Sequence, residues 1–578
     1  MTMPADFAGE IRHLIKGEIT TDPLRMGVYA TDASIYQIQP VAVVYPKDTE
    51  DILHVVSVAS RHQIPLLPRG GATSLAGQTV GKAIVLDFTK YLHQVLEFNP
   101  EEHWIRVQPG ITRDEVNAIV AGAGLEFAPD PATSSRATVG GMIANNSSGT
   151  KSILYGKTID HVLDLTVLLA DGTIIELAAM SRQDLATSDA RLQGLHQLVQ
   201  DHQDEIAARF PKTMRRVSGY PLDELVADDP WHPHKLFIGS EGTLGIILEA
   251  RLHLVPLPKC KGVAVVQFGD RMDAVRAVQP MLEARPAAVE ILSDTVLEYS
   301  RKNLETRAMC DFLRGSPAAI QIVEFYGDEA SEVRQRAEDM FVSLRSAGLG
   351  DAFDFYPEGE TYHNVWSIRK KGLGLLLGEP NDKRGIAFIE DAAIPVEVLP
   401  EYIERVLAIC KKHGAEVTYY AHASVGVIHV RPILDLRQQG DIDRMKAIAD
   451  EVFALVVHYG GAWSGEHGDG LVRSPFLRRY FGDTLYEAFT TVKELFDPHH
   501  LMNPGKIIDA PPMDANLRYG SAYRDQPQQT LYHYRDQKNF HTAVHQCTGI
   551  GACRKMTGGT MCPSYMVTRD ELHSTRGR

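Results

Sequence analysis

The chain of 578 residues contains no run of about 18 or more apolar residues, the minimum for a helix to span a bilayer. A transmembrane helix is therefore not expected. Its first residues, Met1-Thr2-Met3-Pro4-Ala5-Asp6, hold no basic stretch followed by an apolar one, so they do not read as a secretory signal. Cysteine is scarce, 6 in all, which excludes a disulfide-built scaffold and points to a reducing cytoplasm. Basic residues are the minority charge: 59 Lys and Arg face 74 Asp and Glu, a net charge of −15. That balance excludes a general affinity for nucleic acid or anionic lipid, which clustered cations supply. Neither a Rossmann glycine fingerprint nor a Gly-Lys-Ser/Thr phosphate loop is found. Internal repeats and low-complexity tracts are absent as well.

What remains is an ordinary globular composition, 44% apolar and 23% charged, in a chain too long for one core. Proline clusters at Pro256-Leu257-Pro258 and Ala510-Pro511-Pro512 divide it into residues 1–258, 259–512 and 513–578. In the first region, Thr49-Glu50-Asp51 opens a helix with Ile52, Val55, Val56 and Ala59 on one face, and Pro65 to Pro68 reads as a buried strand. Thr112 and Glu115 form a capping box, with Val116, Ile119 and Val120 expected inward. Hairpins are expected across Asn99 to Glu102 and across Asp171-Gly172. The second region alternates strands and helices, including a strand at Ile386 to Ile389 and a β-rich stretch from Val417 to Leu434. This predicts an α+β sheet with helices on one face.

Three glycine- and hydroxyl-rich loops in the first region lack side chains that would bar a ligand from the backbone. They are Arg69-Gly70-Gly71-Ala72-Thr73-Ser74 with Gly77 and Gln78, the stretch from Pro131 to Ser135 with Thr133 and Ser134 through Gly140-Gly141 to Asn145, Ser147 and Gly149, and Gly239 to Ile247 with Glu241 and Gly245. One such loop alone would be a plain turn; three in one domain suit a long cofactor. The second region carries His422 and His429 around a small turn, and Glu466-His467 among Ser464, Gly465, Gly468 and Gly470. Two imidazoles and a carboxylate make an open divalent-metal site, and the neighbouring His467 could accept a proton. Arg369 is either a carboxylate clamp or part of an exposed basic run. Cys547, Cys553 and Cys562-Pro563 resemble an iron–sulfur arrangement, with Ile550 where a further cysteine belongs; zinc or free thiols are the alternatives.

Together these strings, with Leu501-Met502-Asn503-Pro504-Gly505-Lys506, resemble the FAD-linked 2-hydroxy-acid dehydrogenases of the vanillyl-alcohol-oxidase type. That family includes D-lactate, glycolate and D-2-hydroxyglutarate dehydrogenases, and the likeness is greatest to its branch fused to an iron–sulfur module. The resemblance implies a two-subdomain FAD-binding (PCMH-type) domain, a ferredoxin-like substrate domain and a partial helical iron–sulfur segment. It places Arg69 to Ser74, Gly77 and Gln78 on the FAD pyrophosphate, Thr133, Ser134, Gly140, Gly141, Asn145 and Ser147 along the flavin, and Glu241, Gly245 and Ile247 beside it. It makes His422, His429 and Glu466 ligands of a divalent metal, zinc or manganese, His467 the base and Arg369 the substrate's carboxylate clamp. The family's pocket lysine has no match here; Lys383 or Arg384 is the substitute, and Arg431 takes the contact beyond the second histidine. The implied reaction is oxidation of a D-2-hydroxy acid, D-2-hydroxyglutarate first, with electrons passing from flavin to a 4Fe-4S centre of the complete protein. D-lactate or glycolate oxidation, a non-redox flavoprotein transferase and an idle electron-transfer subunit are the alternatives. Relatives continue beyond Arg578, so an incomplete iron–sulfur segment is expected; acceptor and self-association are left open.

Overall fold

The computed structural model describes residues 6–227, 229–377, 382–526, 528–557 and 561–578. Asp48 caps the helix Thr49–His62, whose residues Ile52, Val55, Val56 and Ala59 are buried together with Ala42, Val44, Leu66 and Ile84. The strands beneath run in the order Glu18–Thr20, Ala42–Tyr45, Ile84–Asp87, Leu66–Arg69, with the last three parallel. Parallel strands covered by helix are buried on both faces, which is why they read as short apolar runs.

A second, antiparallel sheet follows in the order Val95–Asn99, Trp104–Val107, Ile246–His253, Val162–Leu168, Ile174–Leu177. Both expected hairpins are in it. The capping box of Thr112 and Glu115 starts the helix Arg113–Val120, where Val116 and Val120 are buried but Ile119 is exposed. Val116 and Val120 sit one turn apart and use the whole inward face, leaving Ile119 beyond it. The three glycine-rich loops leave the ends of these elements and meet along one cleft between the two sheets.

The region beyond Pro256 is a seven-stranded antiparallel sheet. Its order is Ala352–Pro357, Cys260–Phe268, Ala319–Gly327, Ala288–Ser293, Val417–His422, Val427–Leu434, Arg384–Gly385. Helices cover both faces, not one. Val263, Val265, Ile320 and Ile322 pack with Val296, Val365 and Ile368 of Asp294–Lys302 and Glu360–Leu377, whereas Ala264, Val266 and Val323 belong to the core that holds Ala337 and Met340. The unbroken burial of these strands is the consequence. A second difference is at Ile386 to Ile389, which is buried coil because the chain leaves the sheet after Gly385.

Among its described residues the last region has only short helices, including Phe540–His545 and Pro563–Thr568, and it folds back onto the first. Arg569 pairs with Glu115, Arg554 donates to Thr89 Oγ1, and Arg576 donates to the carbonyl oxygens of Gly71 and Ala72. Among the described residues no helix is long and apolar enough to cross a membrane.

Candidate active site

The cleft between the two sheets holds about 880 Å³ of empty space, part of it open to solvent. Arg69 to Ser74, Gln78, Thr133, Gly140, Gly141, Asn145, Ser147, Glu241, Gly245 and Ile247 all line it. Gly77 and Ser134 do not: Gly77 (φ +89°) packs on Tyr36, and Ser134 is buried in the turn that follows Pro131. Arg69 forms wall only, since its guanidinium donates to the carbonyls of Tyr29, Thr31 and Thr79. Among the described residues, the amides of Gly70, Gly71, Ala72, Thr73 and Ser74 have no protein acceptor. A run of unsatisfied N–H groups on a cavity wall is a nest for phosphate oxygens, so these residues fit the pyrophosphate of a dinucleotide. Gly71 is fixed by its neighbours too, because a Cβ there would stand 2.1 Å from the Arg136 carbonyl oxygen.

The cleft runs into a second cavity of about 770 Å³, and the two share Thr73, Ser74, Thr133, Asn145 and Ser147. Arg369, Tyr420, His422, His429, Glu466 and His467 line the far end. The antiparallel register Tyr420↔His429 and His422↔Val427 puts both histidines on one face of the strand pair. Their rings meet edge to face at 5.2 Å, and the turn between them is tightened by Gly426.

Glu466 comes from the loop after Ala462. Asp391 holds that loop by accepting the amides of Glu466 and His467 and the hydroxyl of Ser464. Arg215, fully buried, takes Glu466 Oε2 at 2.9 Å. Oε1 is left as the point of convergence, 3.2 Å from His422 Nε2 and 3.3 Å from His429 Nε2. Ligands about 2.0–2.1 Å from a tetrahedral zinc lie about 3.3 Å from one another, and both distances from Glu466 Oε1 match that spacing. The outer ring nitrogens are bound as well: His422 Nδ1 lies 2.8 Å from Glu290 Oε1, and His429 Nδ1 donates to the Glu390 carbonyl at 2.9 Å. Such outer partners present the Nε2 lone pairs to an ion. Asp391, His429, Glu466 and His467 form an alternative donor set at the same spot. Asp391 is the weaker candidate because its oxygens already hold two amides and a hydroxyl.

The electrostatics agree with a closely paired cluster. Burial opposes charge on Glu466, yet Arg215 and His422 hold its carboxyl well below the usual range. Burial likewise disfavours charge on His422, but Glu290 and Glu466 outweigh it and raise its pKa. Glu390, fully buried, is held well below the usual carboxylate range by His467 and Arg473 against the same burial penalty. Glu390 Oε1 takes His467 Nδ1 at 2.9 Å, which turns Nε2 toward the cavity, 3.6 Å from Glu466 Oε1. Asp469, the second acid of the loop, accepts the Gly219 amide at 2.7 Å. It ties the loop to the segment that carries Arg215.

Arg369 is buried and lines the cavity, but Glu290 occupies its Nε and Nη2, both at 2.5 Å. It is therefore an anchored cation, not a free one. Lys383, Arg384 and Arg431 do not line this second cavity. Lys383 is exposed, and Arg384 sits in the edge strand paired with Leu434, which carries both away. Arg431 lies behind Tyr420. The three clustered cysteines do not converge on one point among the described residues. Cys562 Sγ accepts the Thr575 amide at 3.0 Å, Cys553 Sγ the Arg576 amide at 3.4 Å, and Cys547 is exposed. As they stand they do not fit a shared cluster.

Sequence reasoning missed Arg215, Glu290, Glu390 and Asp391. The two glutamates interrupt otherwise apolar strings, Ala288-Val289-Glu290-Ile291-Leu292 and Phe388-Ile389-Glu390, and a charge in such a run is a sign of a buried, partnered group. Arg215 gives no comparable signal.

Two family models match, an FAD binding domain over residues 40–178 and the C-terminal domain of FAD linked oxidases over 257–507. The chain therefore carries both of the matched FAD-linked oxidase domains. It is 35% identical to the D-2-hydroxyglutarate dehydrogenase of Pseudomonas putida over 97% of its own length and 58% of that protein. It is 33% identical to the same enzyme of Escherichia coli, over 95% and 56%. The chain thus spans a little over half the length of these curated relatives. The glycolate oxidase subunit GlcD of Bacillus subtilis is 28% identical over 83% of the chain and 92% of that subunit. Among solved structures, 4-ethylphenol oxidase from Gulosibacter chungangensis matches with a TM-score of 0.63 at 17% identity, covering 87% and 96% of the two chains. That likeness shows a shared fold and no more.

Proposed function

We propose that the protein oxidises a D-2-hydroxy acid, D-2-hydroxyglutarate first, to the 2-oxo acid. The observation that carries the reading is His467: its Nδ1 is pinned to Glu390, so Nε2 faces the cavity that the cofactor cleft opens into. Bound FAD would supply the two-electron acceptor, and a divalent ion held by His422, His429 and Glu466 would supply Lewis-acid polarisation of a hydroxyl.

The protein's own groups do the rest. His467 Nε2 takes the 2-hydroxyl proton, and the buried Glu390 carboxylate stabilises the imidazolium that forms. Arg369, with Glu290 fixing its position over the Tyr420 ring, orients the substrate's 1-carboxylate. Asp391 keeps Glu466 and His467 adjacent by holding both their amides. Ser147 and Thr133 line the junction of the cavity with the cofactor cleft.

The dehydrogenase relatives support 2-hydroxyglutarate as substrate, and the glycolate oxidase subunit supports a smaller acid as the second reading. An anaerobic screen of D- and L-2-hydroxy acids with FAD-loaded protein tests the proposal. A D-acid should bleach the flavin absorbance and its L-enantiomer should not; retention of the yellow form with every acid would overturn it.

A further inference from the structure

Behind Tyr420 lies a cavity that the proposed chemistry does not use. It holds about 920 Å³ of empty space, part of it open to solvent, between the strands Arg384–Gly385 and Val427–Leu434 and the residues Arg518, Tyr519, His545, Cys547 and Thr548. Arg431 lines it, is 1% exposed, and has an Nε with no hydrogen-bond partner. The Tyr420 hydroxyl, neutral and 3.4 Å from Nη2, does not balance its charge. A buried guanidinium without an anion is unfavourable, and natural folds pair such groups.

Arg384 and Arg518 line the same cavity. Among the described residues, no carboxylate is within ion-pair distance of Arg384, Arg431 or Arg518. The two acids on the rim are already engaged, because Asp382 and Asp435 pair with Arg437 at 2.7 and 3.0 Å. Burial lowers the pKa of Arg384, and Arg518 and Arg437 add to it, as crowded cations do. Three uncompensated arginines around one hollow are an anomaly in a chain whose net charge is −15. Much of the remaining wall is apolar or aromatic, with Ile386, Leu434, Leu436 and Tyr519, beside the polar Ser34 and Thr548 and the already paired Arg437. A hydrated inorganic ion would leave that surface unused.

We propose that this cavity is a binding site for a small organic anion, a carboxylate or phosphate on an apolar body, held by Arg384, Arg431 and Arg518. Guanidinium forks suit both acid groups. Leu75 lines this cavity and the catalytic one, so the anion is either the far end of a substrate seated at His467 or a separate molecule.

Glutarate, which has no hydroxyl to oxidise, is the probe, titrated calorimetrically into the FAD-loaded full chain. Saturable binding is expected, with Arg431→Met and Arg518→Met each weakening it about ten- to hundredfold, as for loss of a charged hydrogen bond. Arg518 is half-buried and outside the sheet, so its variant keeps the test alive if the buried Arg431 variant fails to fold. Absence of saturable binding, or binding that folded Arg518→Met leaves unchanged, overturns the proposal. Pyruvate then distinguishes the sources: displacement of glutarate assigns the site to one molecule spanning both cavities, and simultaneous binding assigns it to a second molecule. Flavin reduction is not read, so failure of the hydroxy-acid reading would leave this site standing.

Discussion

Glu390→Gln is the perturbation that separates a catalytic role for the buried cluster from a merely structural one. Glu390 is fully buried and its Oε1 lies 2.9 Å from His467 Nδ1, so solvent screens the pair little. When His467 takes a proton, imidazolium and carboxylate become unit charges about 4 Å apart, worth about 4 kcal/mol at an effective dielectric of about 20. A glutamine keeps the shape and loses that term, which corresponds to about a thousandfold in rate. It also offers an N–H where an acceptor stood, favouring the tautomer whose Nε2 already carries a proton. Single-turnover stopped flow under anaerobic conditions reads the flavin-reduction step directly. The reduction rate should fall about a thousandfold, while FAD content stays at the wild-type level because Glu390 does not line the cofactor cleft. A rate within about threefold of wild type would refute the reasoning.

Three further outcomes follow from other contacts. Glu290→Gln removes the partner of His422 Nδ1 and should weaken divalent-metal binding about 10–100-fold, measured by competition with a chromophoric chelator; an unchanged affinity would remove His422 from the ligand set. Gly71→Ala forces a Cβ to 2.1 Å from the Arg136 carbonyl oxygen, so the FAD content of purified protein should fall severalfold with far-UV circular dichroism preserved. Full occupancy would show that the loop shifts freely. Burial and the neighbouring Asp469 push the Glu241 carboxyl up from its ordinary 4.5 to about 8. An acid raised on folding stabilises fully below its unfolded value and loses that contribution as pH rises through the folded one. The Tm of wild type should therefore fall relative to Glu241→Gln between those two values, and parallel Tm profiles would contradict the burial argument.

The parts of the site legible in the sequence are those built from short, local strings. The loop from Arg69 to Ser74 follows a strand and must be small, and His422 and His429 flank one turn, so spacing alone places both imidazoles together. Glu466 and His467 were legible for the same reason. The carboxylates that orient them were not. Glu290 lies 132 residues from His422 and is brought in by the strand order, Glu390 lies 77 from His467 on coil beyond the edge strand, and no local pattern encodes either approach. Arg384 and Arg431 are the opposite case, legible as anion contacts but not as to which cavity they line. Their charge and position suited a substrate contact, but the edge pairing of Arg384 with Leu434 carries that side of the sheet to a different cavity. The helices on both faces of the large sheet were readable in principle, since strands such as Ala319–Gly327 are apolar at consecutive positions. Asp469 gave no hint of a partner, and only the fold shows it holding Gly219.

Transfer of the 2-hydroxyl proton to His467 beside the flavin is tested most directly by anaerobic mixing of D-2-hydroxyglutarate with FAD-loaded wild type and His467→Ala. The wild type should bleach, and the variant should hold its flavin oxidised with an unchanged FAD content. Equal reduction rates in the two proteins would contradict the assignment.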